Sequence, residues 1–212
     1  MIKVLYWNCR GIANNPTKRA LANMVHNHSP DLILISEPMI SLSSTQSLNL
    51  HNYGFDTFHS NAPHLVCADL WCISKSSSQF STTLSDSSSQ HISMLLTNQI
   101  SGLSTQIIGV YGANKPTLRK DLWKVLIDSS STTLPWCVMG DFNAILTHEE
   151  KQSLRQSTPS SLKDFQLAVL QAGLKDIQYS GSRFTWSNNR QRLSYVAARL
   201  DRVLVNSHSI DT

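Results

Sequence analysis

At 212 residues, 41% of them hydrophobic, the chain can build one well-cored domain, and its formal charge of +4 permits a polyanionic partner without demanding one. No apolar run approaches the length of a membrane span, and the N-terminus reads as a core strand rather than a signal peptide, so a soluble, intracellular protein is expected. Cys9, Cys67, Cys72 and Cys137 lack CxxC spacing and flanking histidines, which argues against zinc and a disulfide framework and for small core residues in a reducing compartment.

Taken in order, Ile2 to Asn8 is a β-rich opening that delivers an amide at its C-terminal end, with Arg10 following as a phosphate contact. Pro16 and Thr17 introduce a helix with Leu21, Met24 and Val25 on one face; His26 and His28 suit its C-terminus or the surface better than a metal. Asp31 to Ser36 is nearly continuous in apolar residues, as expected of a strand covered on both faces, and ends at Glu37-Pro38. A carboxylate directly after a buried strand is costly unless compensated, which a cation or a salt bridge at the sheet rim would do. The strand, helix, strand order is that of an α/β crossover.

In the middle third, Ser41 to Leu50 reads as a short helix, Tyr53 to Phe58, His64 to Ile73 and His91 to Thr97 as strands, and Ser74 to Ser89 as hairpins or mobile loops. His59, His64 and His91 are scattered and read as structural or surface residues. Thr105 to Gly112 is a buried strand closing with Tyr111, a donor for a phosphoryl oxygen. Leu118 to Ile127 is an amphipathic helix with Leu122, Trp123, Leu126 and Ile127 inward and Arg119, Lys120 and Lys124 more exposed.

Trp136 to Met139 is a buried strand, and Gly140 lets the backbone turn as it ends. In extended geometry Asp141 and Asn143 point to one side and Phe142 to the core, so a carboxylate and an amide are presented together, fit to hold a water or a divalent cation. A plain turn is the alternative, because Gly, Asp and Asn are turn formers. A polar loop from His148 to Ser160 leads to a helix, Leu162 to Ala172, capped by Gly173. Gly181 to Arg190 interleaves Phe184 and Trp186 with Ser, Asn, Arg183 and Arg190, a pattern suited to stacking on sugars or bases and bonding phosphates, or to a plain hairpin. Ala198 to Val205 is a strand that sets Asp201 among apolar residues; with Arg192, Arg199 and Arg202, the two earlier arginines would make a basic face.

Asn8, Glu37, Tyr111, Asp141 with Asn143, and Asp201 thus belong to strands or their ends, which in a twisted α/β sheet converge on one crevice. With no nucleophilic Ser-His pair and no nucleotide-binding glycine loop, the set suits metal-assisted attack of water on a phosphodiester.

The ordered series Trp7-Asn8-Cys9-Arg10-Gly11, Ser36-Glu37-Pro38, Val110-Tyr111-Gly112, Gly140-Asp141-Phe142-Asn143, Phe184-Thr185-Trp186 and Arg199-Leu200-Asp201-Arg202 resembles the endonuclease/exonuclease/phosphatase superfamily. More narrowly it is similar to the apurinic-type endonuclease domain of plant LINE retrotransposon polyproteins. The resemblance implies a two-sheet α/β sandwich with outer helices (DNase I-like), a single domain over residues 1–212, and Mg²⁺-dependent nicking of DNA, with Mn²⁺ as the substitute cation. By it, Glu37 and Asn8 would hold the metal, Asp141 would orient the attacking water, Asn143 would contact phosphate, Tyr111 would steady developing charge and Asp201 would orient a histidine, with Arg10, Arg183, Trp186 and Arg190 on the DNA. A nuclear location follows if DNA is the substrate; neither a membrane nor an obligate protein partner is implied.

Two departures stand out. The family's closing Ser-Asp-His segment is missing before Thr212, and His208 lies in the segment directly after the Asp201 strand, so an incomplete domain without its final strand and with impaired activity is expected. Paired glycines usual in relatives are replaced by Leu65-Val66-Cys67-Ala68, which would alter the sheet there. The alternatives are a phosphatase or exonuclease of the same superfamily, a non-catalytic nucleic-acid-binding remnant, and a relic with no function and an exposed sheet edge.

Overall fold

The computed structural model describes residues 2–61, 69–75, 79–153 and 159–209, and divides into two units, Met1–Tyr111 and Gly112–Thr212. The first unit is built on its N-terminal apolar runs. Strand β1 (Val4–Asn8) connects through α1 (Asn15–His28) to β2 (Leu32–Ser36), parallel to β1 and in a register that sets Asn8 opposite Ser36. The Asn14 side chain accepts the Thr17 N–H at 2.8 Å to cap the helix, Pro16 occupies its first turn, and His26 and His28 lie in its last, where positive charge is favoured.

β2 is buried along its whole length, as its unbroken apolar run requires. Ile33 and Ile35 pack with Leu21, Val25, Phe55 and Trp71 on one face. On the other, Leu34 comes so close to Gly109 that a Cβ there would lie 3.0 Å from the leucine methyl. Strands β3 (Phe55–Ser60) and β4 (Leu70–Lys75) complete a sheet of order β1-β2-β4-β3. Strands β5 (Phe80–Ser88), β6 (His91–Asn98) and β7 (Ser104–Tyr111) form an antiparallel meander.

Two expectations from sequence change here. The short helix over 41–50 is a pair of 3₁₀ turns, Leu42–Leu48 and Leu50–Tyr53, broken at the left-handed Asn49 (φ 53°). Its serines bond locally, Ser47 Oγ donating to the Ser44 carbonyl at 2.8 Å, which competes with an α-helix. Part of the serine-rich segment is the nine-residue strand β5, one arm of a hairpin with β6 rather than a mobile loop, because Phe80, Thr82 and Leu84 alternate along it and Thr82 Oγ1 meets Ser74 Oγ on β4 at 2.6 Å. Leu65 to Ala68, where an altered sheet is expected, lie outside the described residues.

In the second unit, α2 (Arg119–Ser129) leads into β8 (Trp136–Asp141). After β9 (Lys151–Gln152), α3 (Pro159–Gln171) ends in a glycine cap: Gly173 adopts φ +64° and the Leu174 N–H reaches back to the Val169 carbonyl at 3.0 Å. Strands β10 (Lys175–Asp176), β11 (Trp186–Ser187), β12 (Ala197–Ala198) and β13 (Asp201–Val205) follow. β13 lies between β10 and β8, and β12 lies between β11 and β9. Phe142 is fully buried and stacks on Phe165 of α3 at 5.2 Å, which in turn stacks on Trp123 of α2 at 4.5 Å. Among the described residues, no helix is long and apolar enough to cross a membrane.

Candidate active site

Each unit carries its own set of polar groups at strand ends. In the first unit, β1 and β2 run out side by side and their continuations stay paired: Cys9 N–H donates to the Ser36 carbonyl at 3.1 Å and Gly11 N–H to the Glu37 carbonyl at 2.8 Å. Arg10 (φ 47°) and Glu37 (φ 52°) both adopt left-handed backbone, which turns their chains out of the strands. The result is direct contact between the two predicted metal ligands, Asn8 Nδ2 donating to Glu37 Oε1 at 2.9 Å.

The pair is half-buried, and Tyr6, Ser36 and Cys9 around it are buried or half-buried. Tyr6 reaches 2.8 Å from the fully buried Ser36 Oγ and donates to the Val110 carbonyl at 2.9 Å, so one phenol links β1, β2 and the strand that ends in Tyr111. Tyr111 is half-buried and its N–H donates to the Gln90 carbonyl at 2.9 Å. The Cys9 thiol, donating to the Ser36 and Glu37 carbonyls, is pushed up to about 11 by burial. Burial also raises the Asp69 carboxyl, and the Glu37 charge raises it further.

A hard divalent cation fits this donor set. The Glu37 carboxylate and the Asn8 amide offer oxygen donors, and the mutual repulsion of Glu37 and Asp69 is what a cation relieves. Among the described residues, no three His, Cys, Asp or Glu side chains gather as a metal cluster, so binding would rest on few protein ligands with water completing the shell, the habit of Mg²⁺.

In the second unit the Gly-Asp-Phe-Asn sequence forms a different local structure from the extended one expected. Gly140 and Asp141 remain within β8, and the turn comes at Asn143, which is left-handed (φ 48°). The Asn143 N–H then donates back to Asp141 Oδ1 at 2.9 Å, an Asx-type turn that brings carboxylate and amide together by folding rather than by strand alternation. Asn143 Nδ2 donates to the Gly112 carbonyl at 2.7 Å, and the Gly112 N–H donates to the Asp141 carbonyl at 2.7 Å. Only glycine fits at 112, because a Cβ there would lie 2.5 Å from the Phe142 carbonyl oxygen. Asp141 is 6% exposed, and the register of β8 with β13 sets Asp201 directly opposite it.

The Phe184-Thr185-Trp186 segment does structural work beside this pair. Thr185 Oγ1 accepts the N–H groups of Leu200 and Asp201 at 3.0 and 3.1 Å, which fixes the start of β13. Trp186 and Asn143 share a cavity of about 460 Å³ whose other walls include Ile145, Leu162, Ala198 and Arg119. Arg183 and Arg190 are exposed; Arg183 Nη2 donates to the Glu149 carbonyl at 2.6 Å and its guanidinium lies 5.4 Å from the Phe184 ring.

Two assignments from sequence are corrected here. Arg119 is not on the exposed face of its helix: it is 4% exposed, and Nη1 donates to the Ala113 and Asn114 carbonyls at 2.8 and 3.0 Å. Arg199 and Arg202 do not belong to a basic surface either, because both are spent inside the unit. Arg199 grips Asp176 with two bonds of 2.8 and 2.9 Å and meets Glu150 Oε1 at 3.0 Å; Arg202 meets Glu150 Oε2 at 2.7 Å and Asp176 Oδ2 at 2.9 Å. Burial would raise the Glu150 carboxyl, but the bonds and charges of Arg202, the Leu146 N–H and Arg199 together hold it below the usual carboxylate range. Sequence reasoning missed Glu150 and Asp176 because they lie in short polar segments with no periodicity; the available signal was the pair of arginines three apart in a largely apolar strand segment, which must find carboxylates.

A family model described as the endonuclease/exonuclease/phosphatase family matches residues 5–211. The chain belongs to that family. No curated protein matches it in sequence. Among solved structures, the endonuclease domain of TRAS1, a telomere-specific non-LTR retrotransposon, superposes with a TM-score of 0.71 at 14% identity, over 100% of this chain and 88% of that one. A 3′-5′ exonuclease from Neisseria meningitidis gives 0.69 at 18%, over 97% and 87%, and an AP endonuclease from Leishmania major 0.70 at 13%, over 98% and 79%. The family's DNase I-like α/β fold, expected from the ordered motifs, is therefore the fold of this chain.

Proposed function

We propose that the chain is a Mg²⁺-dependent DNA-nicking phosphodiesterase of the retroelement endonuclease type, of the kind found in plant LINE elements. The observation that carries the reading is the Asp141/Asn143 turn: a buried carboxylate and an amide locked to each other and to Gly112, in a chain matching a nuclease and phosphatase family over residues 5–211. In this reading Asp141 takes and orients the attacking water, and Asn143 holds a phosphate oxygen. Tyr111 donates to the oxyanion that develops, while Glu37 and Asn8 hold the cation. When bound, Mg²⁺ supplies Lewis-acid stabilisation of charge on the phosphate.

A histidine oriented by Asp201 would move a proton, yet His208 lies in the 3₁₀ turn Ser207–Ser209 at the opposite end of β13, against Asn206. DNA as substrate is supported by the DNA-processing neighbours, one of them a Neisseria 3′ phosphatase bound to product DNA hairpin, and by exposed Arg10, Arg183 and Arg190. Action on DNA would place the protein in the nucleus.

The test is incubation of the purified chain with supercoiled plasmid and Mg²⁺, with EDTA and Asp141→Ala as controls. Conversion to open circles, abolished by both controls, is the expected result. Conversion that survives Asp141→Ala overturns the reading, and salt-dependent DNA binding with no turnover would replace it with a binding module. A panel of phosphoinositide, sphingomyelin and poly(A) substrates separates it from the other branches of the superfamily.

A further inference from the structure

Arg119 is an expensive residue with no evident need to be where it is. It opens α2, so its charge sits at the positive end of a helix dipole, and it is 4% exposed, so burial pushes its pKa down. Its Nε–H is buried without a hydrogen-bond partner. The neighbouring Lys120 shows that a cation at this end of the helix can reach water. What Arg119 gains from staying inside is contact with the groups on which Asp141 and Asn143 depend.

Nη1 donates to the Ala113 and Asn114 carbonyls and Nη2 to Ser161 Oγ at 2.9 Å, which pins the segment directly after Gly112 to the start of α3. Gly112 is the residue that receives Asn143 Nδ2 and donates to the Asp141 carbonyl. Its position is critical, because it approaches the Phe142 carbonyl more closely than any side-chain-bearing residue could. The guanidinium also acts on Asp141 through charge, an attraction that works against the effect of burial on Arg119. That matters because Asp141 faces Asp201 across β8 and β13, and like charges opposed on adjacent strands repel.

We propose that Arg119 is a positioning residue for the Asp141/Asn143 centre. It holds the 112–114 segment against which Asn143 is braced and supplies positive charge to the Asp141 carboxylate that stands opposite Asp201. Although it lines the cavity, Nη1 and Nη2 are spent on carbonyls and Ser161 and Nε is buried, so it acts through those groups. The role rests on the phosphodiesterase reading for its chemical meaning, while the structural linkage can be read independently of it.

The experiment compares Arg119→Gln and Arg119→Lys with the wild-type chain by thermal melting, by the side-chain amide ¹H–¹⁵N signal of Asn143 (assigned by its loss in Asn143→Ala), and by kcat and KM for Mg²⁺-dependent plasmid nicking. Arg119→Gln is expected to move the Asn143 amide signal and to lower kcat about 10- to 100-fold with KM held within about twofold, the signature of lost alignment rather than lost binding. Arg119→Lys keeps the charge and loses the fork, so it should recover part of kcat while the amide signal stays displaced. A folded Arg119→Gln chain with an unmoved amide signal and unchanged kcat overturns the proposal. If Arg119→Gln does not fold, an unmoved signal in Arg119→Lys overturns it. Absence of wild-type nicking with a displaced signal would refute the nuclease reading and leave the linkage standing; wild-type nicking indifferent to Arg119 would do the reverse.

Discussion

Replacing Arg202 by Met should destabilise the protein by about 3 kcal/mol, and the geometry fixes why the figure is neither larger nor smaller. Its side chain is completely buried, and its carboxylate partners Glu150 and Asp176 are 13% and 24% exposed. Removing one member of a buried ion pair typically costs about 3 to 5 kcal/mol, because the partner's charge stays behind. Here the abandoned groups keep help: Asp176 retains both bonds from Arg199, and Glu150 retains Arg199 Nη1 and the Leu146 N–H at 2.6 Å. That places the loss at the lower end. Met fills much of the vacated space but forfeits the cation over the Phe165 ring at 5.4 Å, so no packing gain offsets it. At about 2 to 4 °C per kcal/mol for a chain of this size, the melting temperature should fall by about 6 to 12 °C. Differential scanning calorimetry at low and high salt makes the measurement, and the deficit should persist in salt because a buried pair is barely screened. A variant melting within about 2 °C of wild type would refute the reasoning, since the four-charge cluster would then contribute nothing net.

Three further outcomes are expected. His91 is buried between Ser88 Oγ at 2.7 Å and Asp86 at 3.2 Å, and burial lowers its pKa despite the opposing pull of Asp86. A depressed histidine favours the fold while neutral, so its contribution is complete above about pH 6.5 and erodes as pH falls through the folded value; His91→Gln should flatten urea-melt stability across that window. Gly112→Ala forces a Cβ to 2.5 Å from the Phe142 carbonyl and should cost about 1 to 3 kcal/mol in denaturant titrations while displacing the acceptor of Asn143. Arg183→Ala and Arg190→Ala should each reduce the salt dependence of DNA affinity by about one counterion, measured by fluorescence anisotropy, whereas Arg199→Ala should act on stability instead.

Much of this was legible in the sequence wherever one local force dominates. β2 has only apolar residues between its ends, so strand and two-sided burial follow together; the Asn14 and Pro16 start and the Gly173 stop of helices are set by local hydrogen bonding. Proximity of Asn8 and Glu37 follows from two adjacent parallel strands ending in step. What escaped depended on distant partners. Arg119 looked like a solvent-facing residue because its acceptors are loop carbonyls and Ser161. Arg199 and Arg202 looked like part of a basic face because their carboxylates lie 23 to 52 residues away in sequence. Backbone handedness was only half legible: Gly, Asp and Asn allow a turn, but the order Asp-Phe-Asn does not decide whether Asn143 curls back or continues the strand.

That last omission exposes the device common to both units. An extended strand presents its side chains alternately up and down, so it can offer one polar group at its tip but cannot make two successive ones converge. Glu37, Arg10 and Asn143 break the alternation by taking left-handed backbone immediately after β2, β1 and β8. Each such turn in a non-glycine residue costs on the order of 1 to 2 kcal/mol, and the structure shows what offsets it: the Gly11 N–H bonded to the Glu37 carbonyl, and the Asn143 N–H bonded to the Asp141 carboxylate. The hydrogen bonds that offset the strain therefore involve the same residues to which the proposed chemistry is assigned, so aligning that candidate site and relieving its backbone are one event. A substitution at Asp141 consequently removes more than a base: it withdraws the acceptor that keeps Asn143 turned, and the two residues should lose function as a unit rather than additively.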